Sequence, residues 1–515
     1  MYRCILPILV VLSCAGQAAA SWVEVRSPNF HFAGQAKEAD AVRLVRELEL
    51  YRYTVLNVLG ADAQPEARPV EVFGIKGARG MSKLTGSGGI SGVYTLGSDG
   101  PVFIMDTMDG LGSRGGSRAT ALHEFAHHIM NSYSTRYVPR WYNEGFAEFL
   151  SSFEADGDEV TIGIPGSKFG YVLGGREDWI DWKVVLGAVR SYPSSKNKSP
   201  NYLSYFYGQS WLGVHYIQFN DKLNVEVPRY LELINSGTEP LTAFEQAFKM
   251  SVEEFGEQAE RYFASRSYPV AKLQFTDAVS SQSISVRRLS GEETQAAQLR
   301  AMTAFVRDNS RHKNWATKQV GSYERKFGET LTTLAVRLAL SFAEKDFDRS
   351  IEVGERALAL FPSDPEALKI AGDAHFHRFT GFEEQLDKTA DPSDLRQSRQ
   401  YFGQQLRLDP TNPTANLHYI ETYTKLNEKP DEVAIKAVRF LVHYRRNAGL
   451  SSQQLVIAEA LSLYGDHESA CDSLAFVAPW LPREEPDMNE EQLSAFKKTA
   501  QRVEAVSLRS SCSVG

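Results

Sequence analysis

Long apolar runs, basic tracts and cysteines are what this 515-residue chain has least of. After its first 20 residues no stretch is long and apolar enough to span a membrane, which takes about 20 such residues. Lys and Arg are interspersed with Asp and Glu, and the formal net charge is −8 at pH 7. No basic run therefore offers a footprint to nucleic acid or to an anionic membrane surface. The loop from Gly86 to Gly92 is glycine-rich but lacks the Gly-Lys-Ser/Thr ending of a phosphate loop, and no surface His-rich tract of a metal carrier is present. Of the four cysteines, Cys4 and Cys14 fall in the N-terminal leader. Cys471 and Cys512 remain, without the close spacing of a zinc or redox pair. In an oxidising compartment they are candidates for a disulfide that ties down the C-terminal tail; two unpaired thiols are the alternative, because spacing alone carries no geometry.

Met1 to Ala20 carries Arg3, an apolar run from Ile5 to Leu12 and the small-residue ending Ala18-Ala19-Ala20. This is the pattern of a secretory signal peptide, with an apolar core too short for a membrane span. It predicts an exported protein, periplasmic or secreted. A competing reading takes Val11-Leu12-Ser13-Cys14 as a loose lipoprotein box, with the chain lipid-anchored through Cys14.

The rest of the chain is organised around Ala119 to Leu150, ATALHEFAHHIMNSYSTRYVPRWYNEGFAEFL. His123, Glu124 and His127 spell H-E-x-x-H. Residues four apart share a helix face, so the two histidines can hold one metal ion while Glu124 lies beside it to handle a proton. Ser117 is a suitable cap for a helix opening at Arg118, and Ala121, Leu122, Phe125, Ala126, Ile129 and Met130 give it wide apolar flanks. A buried helix carries two imidazoles and a carboxylate only at a cost of several kcal/mol unless a metal or partner takes them up. A second helix is expected from Trp141 to Phe153, with Glu144 and Glu148 again on one face. Catalytic zinc uses three protein ligands and one open position, which makes Glu144 the third ligand. Glu148 is placed to accept the ring N–H of a liganding histidine, with His123 as the favoured partner. His128 points about 100° away from His127 and reads as a packed or surface residue.

The pair HEFAHH and WYNEGFAEFL resembles the gluzincin branch of zinc metallopeptidases, the thermolysin and zinc-aminopeptidase type, and most resembles the bacterial peptidase-MA-like families. In that branch a second helix supplies a Glu ligand from an N-E-G or N-E-x-x motif. The resemblance implies an α+β zincin-like catalytic domain, a small mixed sheet with an edge strand plus helices, and one Zn2+ per chain. Here 16 residues separate His127 from Glu144, slightly fewer than is usual in the better-known gluzincins.

Before this stretch, strands are expected at Trp22 to Val25, Phe30 to Phe32 and Pro69 to Ile75, with a helix from Ala36 to Leu59. His31, between aromatics in a strand, reads as structural. Val93 to Leu96 and Val102 to Met105 flank Gly97-Ser98-Asp99-Gly100, a strong hairpin signal. In gluzincins the sheet edge before the zinc helix pairs with extended substrate. The resemblance therefore makes Val102, Phe103, Ile104 and Met105 the substrate-edge strand, and an exposed edge does bind peptides by strand addition. The Gly-Ala-Met-Glu-Asn motif with which zinc aminopeptidases grip an amino terminus is missing, which weakens an aminopeptidase assignment.

Asn201 to Phe219 is an aromatic helix offering Tyr205, Tyr207 and His215 as donors for an oxyanion, an interaction worth roughly 3–4 kcal/mol per donor. Tyr205-Phe206-Tyr207-Gly208 resembles the Tyr-x-Lys-Gly of zinc aminopeptidases, which ranks Tyr205 first as the transition-state tyrosine and Tyr207 second. About 200° separates the two around a helix, so both cannot face the metal.

Beyond a linker or extended strap the chain turns helical. Arg356 to Leu368 and Gln404 to Asn416 match at an offset of 48, each with a helix ending at a first proline and restarting after a second. This resembles the tetratricopeptide repeat, a unit of ~34 residues, with an insertion around Thr380 to Asp394 and a third, degenerate unit from Pro430 to Phe476. Length allows two or three domains. The organisation expected is a signal peptide (1–20), a gluzincin-like domain (21–269), a linker (270–293), an all-α tetratricopeptide-like helical repeat domain (294–480) and a tail (481–515). The repeats either bind a protein partner on a concave face or brace the catalytic domain.

The expected function is zinc-dependent hydrolysis of peptide or protein substrates, with Glu124 as general base and Tyr205 or Tyr207 at the oxyanion. A vestigial scaffold whose repeats bind a partner is the alternative, and the intact Glu124 speaks against it, because a mere binding site has no need of the base. Cleavage of a non-peptide amide at the same site is a further rival.

Overall fold

The structure, a computed structural model, describes residues 22–512 except 63–64, 67, 87, 89–91, 98–99, 108–115, 134–137, 167–172, 175–178, 189–200, 276–282, 307–309, 384–388, 444–449 and 478–489. The leader, with Cys14, lies outside the described residues.

The N-terminal half runs β1 (Trp22–Arg26), β2 (Phe30–Gln35), α1 (Glu38–Val58), β3 (Val70–Ile75), α2 (Ala78–Thr85), β4 (Gly92–Gly97), β5 (Gly100–Asp106), α3 (Gly116–Tyr133) and α4 (Arg140–Ser151). It continues through β6 (Glu154–Asp156), β7 (Glu159–Ile162), α5 (Trp182–Leu186), α6 (Tyr202–Gln218), α7 (Asp221–Asn224), α8 (Val227–Asn235), α9 (Pro240–Phe248) and α10 (Val252–Ser265). Then come β8 (Ala271–Gln274) and β9 (Ser285–Arg288).

Six strands form one mixed sheet in the order β4-β5-β3-β2-β1-β9, with β5, β3 and β2 mutually parallel and the outer pairings antiparallel. Strand side chains alternate between faces, and here both faces are buried. Val25, Phe30, Phe32, Val72, Phe103 and Met105 join the core beneath α1, α3 and α4. Ala33, Phe73, Ile75, Val102 and Ile104 point the other way, into a core shared with Ala297, Met302, Val320, Val336 and Leu340. On that second face His31 fulfils its structural reading, its ring held 2.8 Å from Glu24 and 2.6 Å from Glu71.

The pairing order corrects one expectation. Val102, Phe103, Ile104 and Met105 belong to β5, which pairs with β3 on one side and β4 on the other. Its backbone groups are already taken, and the edge strand on this side is β4, the other arm of the hairpin.

Segment 270–293 adds two short strands and the first turn of a helix. β8 joins β6 and β7 in a small antiparallel sheet, and β9 adds to β1 at the far edge of the large one.

The remainder is helical: α11 (Gly291–Thr303), α12 (Ser310–Phe327), α13 (Leu331–Glu344), α14 (Phe347–Leu360), α15 (Pro365–Glu383), α16 (Pro392–Leu408), α17 (Pro413–Leu426), α18 (Glu432–His443), α19 (Leu450–Tyr464), α20 (His467–Val477) and α21 (Glu490–Ser510). Successive helices pack in a helical repeat region. Pro365 and Pro413 open their helices at the first turn, where proline's missing N–H costs nothing. Cys471 and Cys512 are disulfide-bonded and fasten the end of α21 to α20. No described helix is long and apolar enough to cross a membrane.

Candidate metal centre

α3 begins at Gly116, slightly before the expected Arg118, and lies against the buried face of the sheet. Ala121, Leu122, Phe125, Ala126, Ile129 and Met130 are all buried, and the Tyr51 hydroxyl donates to the Leu122 carbonyl at 2.8 Å. The apolar flanks thus turn His123 and His127 towards α4. There, Glu144 is 2% exposed.

The three side chains converge on one point. His123 Nε2 and His127 Nε2 are 3.1 Å apart, and Glu144 Oε2 lies 3.2 Å from each. Three ligand atoms on a tetrahedral ion at ~2.0–2.1 Å stand about 3.3 Å apart. The donor set therefore fits zinc, and two facing imidazole nitrogens need a cation or proton between them. Among the described residues this is one of two clusters able to hold a metal. Burial works against the charge on Glu144, but hydrogen bonds from His123 and His127 outweigh it and hold the carboxyl well below the usual range. Burial likewise opposes protonation of His127, yet Glu144 and Glu124 beside it raise its pKa.

Supporting contacts orient these groups. His127 Nδ1 donates to Asn143 Oδ1 at 2.9 Å, which leaves the Nε2 lone pair facing the centre. Arg140 Nη1 donates to the second oxygen of Glu144 at 3.3 Å. Neither residue is singled out by the sequence, although Asn143 is the first letter of the N-E-G motif. Glu148 Oε1 stands 3.7 Å from His123 Nδ1, the expected partner at a distance long for a hydrogen bond. Glu124 is half-buried, one residue along α3 from His123.

Between the two tyrosines the ranking changes. The Tyr207 ring centroid lies 6.1 Å from that of His123. Tyr205, expected first, is buried and sits about 200° around α6 from Tyr207. His215 belongs to the core: its ring bonds the Gly163 carbonyl at 2.9 Å and the Tyr262 hydroxyl at 2.8 Å, and burial lowers its pKa to about 4. His128 is packed as well, 3% exposed, with Nδ1 2.7 Å from the Tyr94 hydroxyl on β4. That bond fixes the edge strand against the helix that carries the centre.

No family model matches the chain, and no curated protein matches it. A solved tetratricopeptide-repeat protein of Thermus thermophilus is similar to it at 14% identity, over 42% of this chain and 100% of that one, with a TM-score of 0.26. So low a score carries no argument, and the helical repeat region stands on the helices described above.

Proposed function

We propose that the chain is a zinc-dependent metallopeptidase of gluzincin type, exported by its leader, with His123, His127 and Glu144 as ligands. The observation that carries this reading is the convergence of the two Nε2 atoms and Glu144 Oε2 at 3.1–3.2 Å, with Glu124 next to them on the same helix. A bound zinc ion supplies Lewis acidity and lowers the pKa of water towards ~7.

The chain's own groups do the rest. Glu124 accepts the water proton and returns it to the leaving amine. Tyr207 donates its hydroxyl to the carbonyl oxygen as negative charge develops there. β4, the edge strand beside α3 among the described residues, offers main-chain hydrogen bonds to an extended substrate backbone. Asn143 and Arg140 hold the ligands without touching substrate. The scaffold alternative, with the helical repeats as a partner-binding surface, is less favoured because Glu124 would have no task in it.

Elemental analysis after exhaustive dialysis tests the ligand set. One tightly held zinc per chain in the unaltered protein and none in His127→Ala is the expected result. Equal zinc in both would remove His127 from the site and the proposal with it.

A further inference from the structure

A second set of donors lies far along the chain, in the helical repeats. Asp373 and His377 are four residues apart on α15 and so share a face. His418 reaches them from α17, and the three ligand atoms lie within 4.8 Å of one another. They line a cavity of about 440 Å3 that is also bordered by Gly97 and Gly100, the described tip of the β4–β5 hairpin.

The contacts around this cluster are those of a prepared site. His418 Nδ1 is 3.0 Å from Asp373 Oδ1, while buried Lys369 holds the other carboxylate oxygen at 3.1 Å. The His418 ring lies flat on Phe376, centroids 4.2 Å apart, and the His377 ring packs on Phe342 at 4.3 Å. His377 differs from the structural histidines of this chain. His31 and His215 have both ring nitrogens bonded, whereas no hydrogen bond to the His377 ring is found among the described residues, although it is only half-exposed and lines the cavity.

We infer that Asp373, His377 and His418 form a second metal site, for a divalent transition ion such as Zn2+, Co2+ or Ni2+. Two imidazoles and one carboxylate are the donors of such ions, whereas Ca2+ and Mg2+ require oxygen ligands almost throughout. Three protein ligands leave coordination positions open to the cavity. Lys369 orients the carboxylate but adds a positive charge beside the ion, so this site binds more weakly than the one on α3 and α4. The inference does not depend on the peptidase reading.

The test is equilibrium dialysis of full-length His127→Ala protein, which lacks the first site, against Zn2+. One equivalent is expected to bind. It should disappear in His127→Ala carrying His377→Ala and His418→Ala, and Lys369→Gln should tighten it. Should the triple variant misfold by circular dichroism, His377→Gln alone in the His127→Ala background serves, with affinity expected to fall about tenfold or more. Binding unchanged by these replacements, or no binding to His127→Ala protein, overturns the inference. Equal binding by unaltered and His127→Ala protein would refute the first centre and leave the second standing.

Discussion

Glu144 gives one carboxylate oxygen to both histidines and the other to Arg140, while Asn143, its neighbour in sequence, fixes the ring of His127. Partners of this kind typically change metal affinity 10–100-fold. Asn143→Ala should therefore weaken zinc binding by about that factor while the fold persists; competition with a chromogenic chelator reads it, and unchanged affinity would contradict the assignment. Tyr207→Phe should lower kcat about 10²–10³-fold with little change in KM. Tyr205→Phe should leave kcat near that of the unaltered protein, and the reverse pattern would restore the sequence-based ranking. His123 and His127 were legible as a pair because a spacing of four on a helix fixes which side chains meet, and Glu144 because a third ligand was expected from the N-E-G segment of the next helix. Arg140, four residues before Glu144 on α4, carried the same spacing unread; Asn143 was not legible, since its contact depends on how α4 meets α3, and neither was the choice of Tyr207, which depends on how α4 and α6 approach one another.

That approach is set by Gly145. A Cβ at this position would collide with the Ser210 carbonyl oxygen of α6 and meet the Val214 side chain at 2.8 Å. Glycine here lets the helices touch, and their contact brings Tyr207 beside His123. Gly145→Ala should destabilise the protein by about 1–3 kcal/mol through overpacking, and it should reduce kcat as well by moving α6. Thermal denaturation and steady-state kinetics check both, and an unaltered melting curve would show that the contact is looser than described. At this scale the sequence reveals most helices and strands through their periodicity, and the hairpin through its Gly-Ser-Asp-Gly turn. It does not reveal that β5 is internal, because sheet order follows from β3 pairing with it across some thirty residues of chain. The unbroken apolar run Val102–Met105, without alternation between faces, is the trace of that internal position.

Across the whole molecule the large sheet is shared. Its first face covers the core under the metal centre, and its second is covered by α11, α12 and α13 of the helical half. Side-chain pairing of Arg68 with Asp409 adds a further tie between the halves. Composition alone suggests separate domains, since a shared core leaves no mark in a local window. At the far end the disulfide spans 41 residues, a loop whose closure is worth up to about 4 kcal/mol on chain-entropy grounds. Cys471→Ser with Cys512→Ser should expose α21 to limited proteolysis and lower the denaturation midpoint of the helical half. The metal centre should keep its zinc, because no described contact of the disulfide reaches it. Loss of zinc in that variant would mean the two ends are coupled more tightly than the shared sheet accounts for.

The central claim is that Glu124 moves a proton for zinc-dependent hydrolysis, and a peptide-library assay of Glu124→Gln beside the unaltered protein tests it most directly, with zinc measured in both samples. The account predicts equal zinc, hydrolysis by the unaltered protein that a chelator abolishes, and a rate about 10²–10⁴-fold lower in the variant. Full activity in a zinc-loaded Glu124→Gln protein would contradict it.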